Sequence, residues 1–241
     1  MKTIKASLFT LSALLSLTIA KAQTADDIIA KHIDAIGGKD KISQVTSMYI
    51  ESNTNIMNMD APTKTYIVNG KAYRTESDFN GQSLVQVITD KGGWSINPFT
   101  GGTAATAMPD DEYQVRAEDV NAIDPLVNYA VNGSKVVLAG QEKVGDVNAY
   151  KLQLTNKYNK ETDFYIDPST WYVIKMVATA NIMGQPTTVT TTLSNFQKTD
   201  FGIVIPYSIN TDFGQAVLVI TVQKIEVNKD IDPTIFDMPK S

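Results

Sequence analysis

From Thr46 to the C-terminus, apolar side chains tend to recur at every second position, and turn-forming residues interrupt them every eight to twelve residues. Alternate residues of a strand face opposite sides, so this period specifies half-buried antiparallel strands joined by tight turns. Runs of this kind cover Thr46–Met57, Thr63–Val68, Lys71–Asp78, Ser83–Thr89 and Trp94–Ile96. Asn69-Gly70, Asn80-Gly81 and Asp90-Lys91-Gly92-Gly93 separate the last four and read as hairpin turns. After a break the runs resume at Ser134–Leu138, Tyr150–Thr155, Asp163–Asp167, Trp171–Ala180, Thr187–Phe196, Ile203–Ile209 and Ala216–Val227. The clearest turns among these are Asp167-Pro168-Ser169-Thr170 and Lys198-Thr199-Asp200-Phe201-Gly202. The expectation is a mainly β chain of about twelve strands with two helical segments.

The two helical segments carry different signatures. Thr24 precedes Asp26 and Asp27, an N-cap followed by acids in the first turn. Ile28, Ile29, His32, Ile33 and Ile36 then share one helical face, and Gly37-Gly38 stops the helix, which spans 25–36. In the break between the two groups of strands, Pro109-Asp110-Asp111-Glu112 begins a helical insertion over 110–131. Asp124-Pro125 punctuates it, and Leu126, Val127, Tyr129 and Ala130 read as a second short helix ending at Asn132-Gly133.

The strand faces differ in polarity. Thr188, Thr190, Thr192 and Ser194 line one side of their strand, which should be wet. Tyr172, Ile174 and Met176 share an apolar side. In the last strand Val217 and Val219 face one way and Leu218, Ile220 and Val222 the other, which predicts a strand buried between two layers. The sheet therefore has a solvated outer side and an apolar inner side that helices or a ligand must cover.

The N-terminus reads as an export signal. Lys2 and Lys5 precede the apolar and Ser/Thr run Ala6–Ala20, and Ala20-Lys21-Ala22 is a small-x-small cleavage site. The run is shorter than the ~20 residues that span a bilayer. Residues 1–22 are thus expected to be removed, leaving 23–241 as a single β domain of ordinary size for a sandwich or barrel. Loss of Lys2, Lys5 and Lys21 takes the formal net charge from −5 to −8. An acidic chain with no basic run excludes nucleic acid and an anionic lipid surface as expected partners. The chain has no cysteine, so disulfides, thiol catalysis, thiolate metal sites and lipidation at an N-terminal cysteine are excluded.

No catalytic constellation emerges. The one histidine, His32, lies on the apolar face of the first helix, where a satisfied core residue is expected. A serine nucleophile would lack another base, and no Gly-x-Ser-x-Gly turn exists. Asp110, Asp111, Glu112, Glu118 and Asp119 cluster as a hard-cation or glycosidase site would require, but also as a solvated helix start does. Gly92-Gly93 and Gly101-Gly102 lack the Gly-Lys-Ser/Thr continuation of a phosphate loop. Met48, Met57, Met59, Met176 and Met183 suit either an adaptable apolar cavity or ordinary core packing. No catalytic residue, metal or cofactor is expected.

Trp94-Ser95-Ile96-Asn97-Pro98-Phe99, following Asp90-Lys91-Gly92, resembles the Trp-x-x-Asn-Pro-Phe segment of periplasmic lipoprotein carriers of the LolA type. The chain as a whole looks like the LolA-like outer membrane lipoprotein-sorting group of Bacteroidetes. The similar stretches are 25–38, Asp124-Pro125-Leu126-Val127-Asn128-Tyr129, Tyr165-Ile166-Asp167, 201–207 and 225–232. The resemblance implies an unclosed antiparallel β-barrel lidded by short helices, binding acyl chains of lipoproteins or lipids in the periplasm. The carrier's Lys-Arg-Pro hairpin has no counterpart, since Val68-Asn69-Gly70-Lys71 stands there, so its arginine-held lid is not implied.

Face alternation and position nominate Trp94, Phe99, Leu126, Tyr129, Ile174, Met176, Leu218 and Ile220 as residues lining an apolar trough. The expected function is a monomeric, non-enzymatic carrier or binding protein for an acyl chain, lipid or lipoprotein. The alternative is a structural or partner-binding envelope protein with the same fold and a filled core.

Overall fold

The computed structural model describes residues 23–239 apart from 101, 122, 124 and 183. The export signal read at 1–22, Met183, and the turn residues Gly101 and Asp124 lie outside the described residues. Two helices open the described chain, α1 (Ala25–Ala35) and α2 (Lys39–Ile42). A first run of strands follows: β1 (Ser47–Ile56), β2 (Met59–Val68), β3 (Ala72–Phe79), β4 (Gln82–Thr89), β5 (Gly92–Ile96) and the two-residue β6 (Thr106–Ala107). Helix α3 (Asp110–Arg116) and a 3-10 turn at Ala117–Val120 interrupt. The second run is β7 (Lys135–Val144), β8 (Val147–Thr155), β9 (Glu161–Ile166), β10 (Val173–Ile182), β11 (Gln185–Lys198), β12 (Val204–Asp212) and β13 (Val217–Val227). A last 3-10 turn covers Pro233–Phe236.

All thirteen strands form one sheet in the order β6-β5-β4-β3-β2-β1-β13-β12-β11-β10-β9-β8-β7. Each run is an up-and-down meander, and the two are joined where the first strand pairs antiparallel with the last. The edges β6 and β7 are consecutive in sequence yet stand at opposite ends of the order, so the sheet is not closed. This is a mainly β, unclosed antiparallel architecture with a few short helices.

Helix α1 forms because its ends are satisfied. Asp27 N donates to Thr24 Oγ1 and Thr24 N donates to Asp27 Oδ2, a reciprocal capping box. At the other end Gly38 N donates to Ile33 O, and Gly37 adopts φ +140. A Cβ on Gly37 would lie 3.2 Å from Ile203 Cα, so the helix end can sit against β12's approach only without a side chain there. Ile28 and Ile29 pack with Leu126, Leu152, Leu154, Phe164, Ile166 and Val173 in one core cluster. Ile36, Ile42 and Val45 pack with Met48, Ile67, Ile203 and Ile205 in a second. His32 is buried, and its Nδ1 lies 2.7 Å from the carbonyl of Trp171, to which it donates.

Several elements differ from the sequence reading. Strand β2 begins at Met59, four residues early, because Met57 and Asn58 both take positive φ (52° and 63°) and make a two-residue hairpin. That left-handed pair matches the strand twist, but Met at the first position disguises it. Strand β7 continues to Val144 and turns at Gly145, where the sequence reading ended the strand at Leu138. The second helix expected at 126–130 is a series of turns closed by Ser134 N donating to Tyr129 O at 2.9 Å. Burial of Leu126 in the first core cluster fixes this segment more firmly than its helix propensity does. Strand β13 is not sandwiched between two layers: of its apolar residues Val222 is buried, whereas Val217 is 48% exposed. Both faces read as apolar because β13 lies centrally in a sheet whose outer side is thinly covered.

Phe164 is 1% exposed at the centre of the first core cluster. Phe164→Ala should lower unfolding stability by about 3–5 kcal/mol, read as a shift of the urea midpoint at unchanged slope. A loss below about 1 kcal/mol would mean that α1 does not seal this core.

Candidate functional site

The ladder registers assign each strand residue to a face. One row runs Ile56–Leu218–Thr211–Thr191–Met176–Phe164–Leu152–Leu138 through eight strands. A neighbouring row runs Thr54–Ile220–Ile209–Leu193. Phe164 and Leu152 touch Ile28 and Ile29 of α1 within the first core cluster, so this is the inner, helix-covered face. The opposite face is the outer one.

Charge separates almost completely between them. The outer face holds Glu51, Lys64, Arg74, Glu76, Lys151, Asp163, Lys175, Lys224 and Glu226 by register. Several of them pair, with Lys151 Nζ 2.8 Å from Asp163 Oδ2 and Arg74 Nε 2.6 Å from Glu76 Oε1. Among the described strand residues, the charged side chain on the inner face is Lys143, exposed at the tip of the β7–β8 hairpin. From the edge of the cluster under α1, against which Met176 and Leu193 pack, the inner face continues as an aliphatic strip. Ile56, Leu218, Ile220, Ile209, Leu193, Val189, Met176 and Ala178 are all half-buried there. Its rim at the same end of the strands carries exposed apolar side chains, Met57 (71%), Phe99 (53%) and Met59 (38%), with Val217 (48%) exposed on the outer side of that end.

Helix α3 bridges the two halves of the sheet. Tyr113 Oη donates to Thr89 O (3.0 Å) at the end of β4, and its ring meets that of Tyr158 in the β8–β9 turn edge-on at 6.0 Å. Asn156 Nδ2 donates to Gln114 O and Asn181 Nδ2 to Asp111 Oδ2, both at 2.9 Å. Arg116 Nε donates to Asp119 Oδ2 at 2.9 Å, with its guanidinium 6.0 Å from the Tyr73 ring centre. The acidic cluster thus helps tether the insertion. Among the described residues no group of three or more His, Asp or Glu is placed to hold a metal. A surface hollow of about 290 Å³ lies elsewhere, lined by Gly133, Lys135, Thr155, Asn156, Lys157 and Asn159, a polar set unsuited to hydrocarbon.

The eight nominated residues fall into five places. Leu218 and Ile220 on β13 and Met176 on β10 lie on the inner strip, three strand spacings or roughly 14 Å apart. Ile174 is half-buried at the bulge of β10 between Val173 and Lys175. Phe99 stands at the rim, edge-on to Phe79 at 5.3 Å. Leu126 is fully buried under α1, and Tyr129 Oη donates to Asp26 Oδ1 (2.5 Å), pinning the insertion to α1. Trp94 is on the outer face, away from the others. Its Nε1 donates to Phe236 O at 2.9 Å, while Arg74 lies 5.5 Å from its ring centre and donates to Ile235 O. The segment Ile231–Phe236 straps this outer patch, and the N-cap pattern Asp232-Pro233-Thr234 was the sequence signal for it. Ile209, Leu193 and Val189, which connect β13 to β10 across the strip, were missed because Thr and Ser surround them in sequence.

No protein-family model matches the chain, and no curated protein matches it in sequence. Solved structures do share its fold. A LolA superfamily protein from Nitrosomonas europaea matches with TM-score 0.59 at 15% identity, covering 90% of this chain and 98% of that one. A DUF1329 family protein from Desulfovibrio piger gives 0.59 at 14%, covering 90% and 98%. An outer membrane lipoprotein-sorting protein domain from Vibrio parahaemolyticus gives 0.56 at 10%, covering 88% and 95%. The chain has a LolA-like fold. No helix among the described residues is long and apolar enough to cross a membrane.

Two outcomes are expected of this geometry. Trp94→Phe keeps an aromatic side chain but removes the bond to Phe236 and part of the buried ring, so stability should fall by about 1–3 kcal/mol or more in chemical denaturation; an unchanged midpoint would show that the strap is not anchored there. Burial, first among the causes, pushes the Tyr73 and Tyr113 phenols up to about 12. A raised folded-state value favours the protonated phenol, so this contribution is complete below pH 10 and is lost as pH rises from about 10 to 12. Tyr49 is pushed up to about 12 as well, so ultraviolet titration of Tyr73→Phe and of Tyr113→Phe should each lose late-appearing phenolate relative to the natural chain; no such loss in either would contradict the packing of α3.

Proposed function

We propose that this protein is a periplasmic, non-enzymatic binding protein or carrier whose inner sheet face holds an apolar ligand such as lipoprotein acyl chains or lipid. The observation that carries the reading is the separation of charge, which leaves a half-buried aliphatic strip on a face with no ionic group within it. Each methylene withdrawn from water onto such a surface gains about 0.8 kcal/mol, so a long acyl chain needs no charged anchor. The strip residues Ile174, Met176, Leu218 and Ile220 contact the chain, Phe99 guards the rim, and Leu126 and Tyr129 hold the cover in place. The signal-like N-terminus and the LolA-like fold support a periplasmic location. His32 is engaged in fixing α1 to the Trp171 carbonyl, which supports a binding role over catalysis.

A second reading rests on the exposed rim. Met57, Phe99 and Val217 also suit contact with an envelope protein, with the strip then a filled or idle surface.

Native mass spectrometry of protein purified from the periplasm, with organic extraction of what it carries, tests the choice. An acylated species is expected on the natural chain and none on Leu218→Glu/Ile220→Glu that retains its melting cooperativity. A natural chain that is empty, and that also refuses fatty acids and acylated peptides, would overturn the carrier reading and leave partner binding.

A further inference from the structure

The sheet ends in two unequal edges. Strand β6 offers two residues and β7 offers ten, and among the described residues no strand flanks the free side of β7. Alternate residues of an antiparallel edge strand turn their N–H and C=O groups away from the sheet, so β7 is a template for one further strand. It is held firmly for that role. Val136 and Leu138 pack inward against the cluster under α1, while Lys135 and Val137 face outward and are exposed. The regular stretch is short. The register with β8 slips between Leu138 and Gly140, and Gly140 takes φ +113. A long partner strand, or β7 of a second copy, would have to cross this bulge, whereas a short strand fits beside 135–138.

The polar hollow of about 290 Å³ lies at the Lys135 end of that stretch, between the turn that enters β7 and the turn that leaves β8. Its wall is preformed. Asn156 is buried, its Oδ1 accepts from Tyr158 N and Lys160 N at 3.0 Å each, and its Nδ2 donates to Gln114 O. Lys135 and Lys157 line the hollow, are exposed, and form no ion pair among the described residues. Acids of the neighbouring segments have other partners: Glu118 accepts from Ser134 Oγ and Asn121 Nδ2, and Glu161 accepts from Gln153 Nε2. In a chain of net negative charge, two unpaired ammonium groups at one hollow make a local positive potential that suits a carboxylate. An antiparallel strand added to β7 would end at Lys135, which brings its C-terminal carboxylate to these lysines. We propose that β7 receives the C-terminal tail of a partner polypeptide as a short antiparallel strand along 135–138, with the terminal carboxylate in the hollow between Lys135 and Lys157. With the last residue opposite Lys135, the third from the end meets Val137 and is apolar or β-branched. This inference uses neither the apolar strip nor the carrier reading.

The test uses the full mature protein and the fluorescein-labelled peptide Gly-Ser-Gly-Thr-Val-Thr-Val, as free acid and as C-terminal amide, read by fluorescence anisotropy. The acid should bind about tenfold or more tightly than the amide. Lys135→Gln/Lys157→Gln, two exposed substitutions that leave the melting curve unchanged, should bring the acid down to the level of the amide. Amide hydrogen exchange read by NMR distinguishes an added strand from a simple anion contact: with the acid bound, backbone amides within 135–138 should exchange about tenfold more slowly. Equal binding of acid and amide, or a double variant that keeps its affinity for the acid, overturns the carboxylate hollow. Acid binding that protects no β7 amide overturns strand addition and leaves an adventitious anion contact only. An acid that does not bind at about 1 mM overturns the proposal outright.

Discussion

The ladder between β1 and β13 is the constraint on which the rest depends. Nine residue pairs, from Met48 with Val227 to Ile56 with Leu218, join two meanders that are otherwise held together by the bridge of α3 and by the core cluster in which α1 and α2 meet Met48, Ile67, Ile203 and Ile205. Without it the chain would be a six-stranded and a seven-stranded sheet, each with a long unpaired edge. With it, both halves bend around one set of helices. Asn228 reinforces the seam from its left-handed position: its side-chain oxygen accepts from Thr46 N at 2.8 Å and its amide donates to Gln44 O at 3.0 Å.

Once the seam is made, the register decides everything that matters for binding. Side chains alternate with period two, so a single pairing assigns each charge to one face. The outward residues form ion pairs and cation–π contacts, such as Lys229 over Tyr49 and Lys175 over Tyr165. The inward residues divide between those sealed by α1 and α2 and those left half-covered beside them. The helices are too short to cover a sheet of this width, and the uncovered remainder is the proposed site.

Much of this was legible in the sequence, and what was not has physical causes. The Thr24 cap, the acids Asp26 and Asp27 in the first turn and the Gly37-Gly38 stop announced α1 to within a residue of its end. The Thr-rich outer side of β11 was readable because hydroxyls fill the alternate positions 188, 190, 192 and 194, whereas Val189 and Leu193 interrupt them on the other side. The Met57-Asn58 hairpin was hidden, since left-handed turns are signalled by Gly and Asn and here only one of the two is present. Trp94 misled because alternation tells which residues share a face but not which face is inner. That choice was made 142 residues away, by Phe236 and the strap that accepts the indole hydrogen. The insertion around Leu126 misled in another way: one fully buried side chain outweighed the local helix preference of its neighbours.

The same seam has a kinetic side. Its partners, Ser47–Ile56 and Val217–Val227, lie some 170 residues apart in the chain, so the central pair of the sheet cannot form until the last strand has emerged. Chain closure over so long a span is slow, and in the meantime β1 is an open edge beside exposed Met57 and Met59. The order of assembly is therefore inverted relative to the order of synthesis: the first hairpins wait, aggregation-prone, for the end of the chain to complete the middle of the sheet. A chain built this way gains from being kept extended by a holding chaperone until its C-terminus arrives.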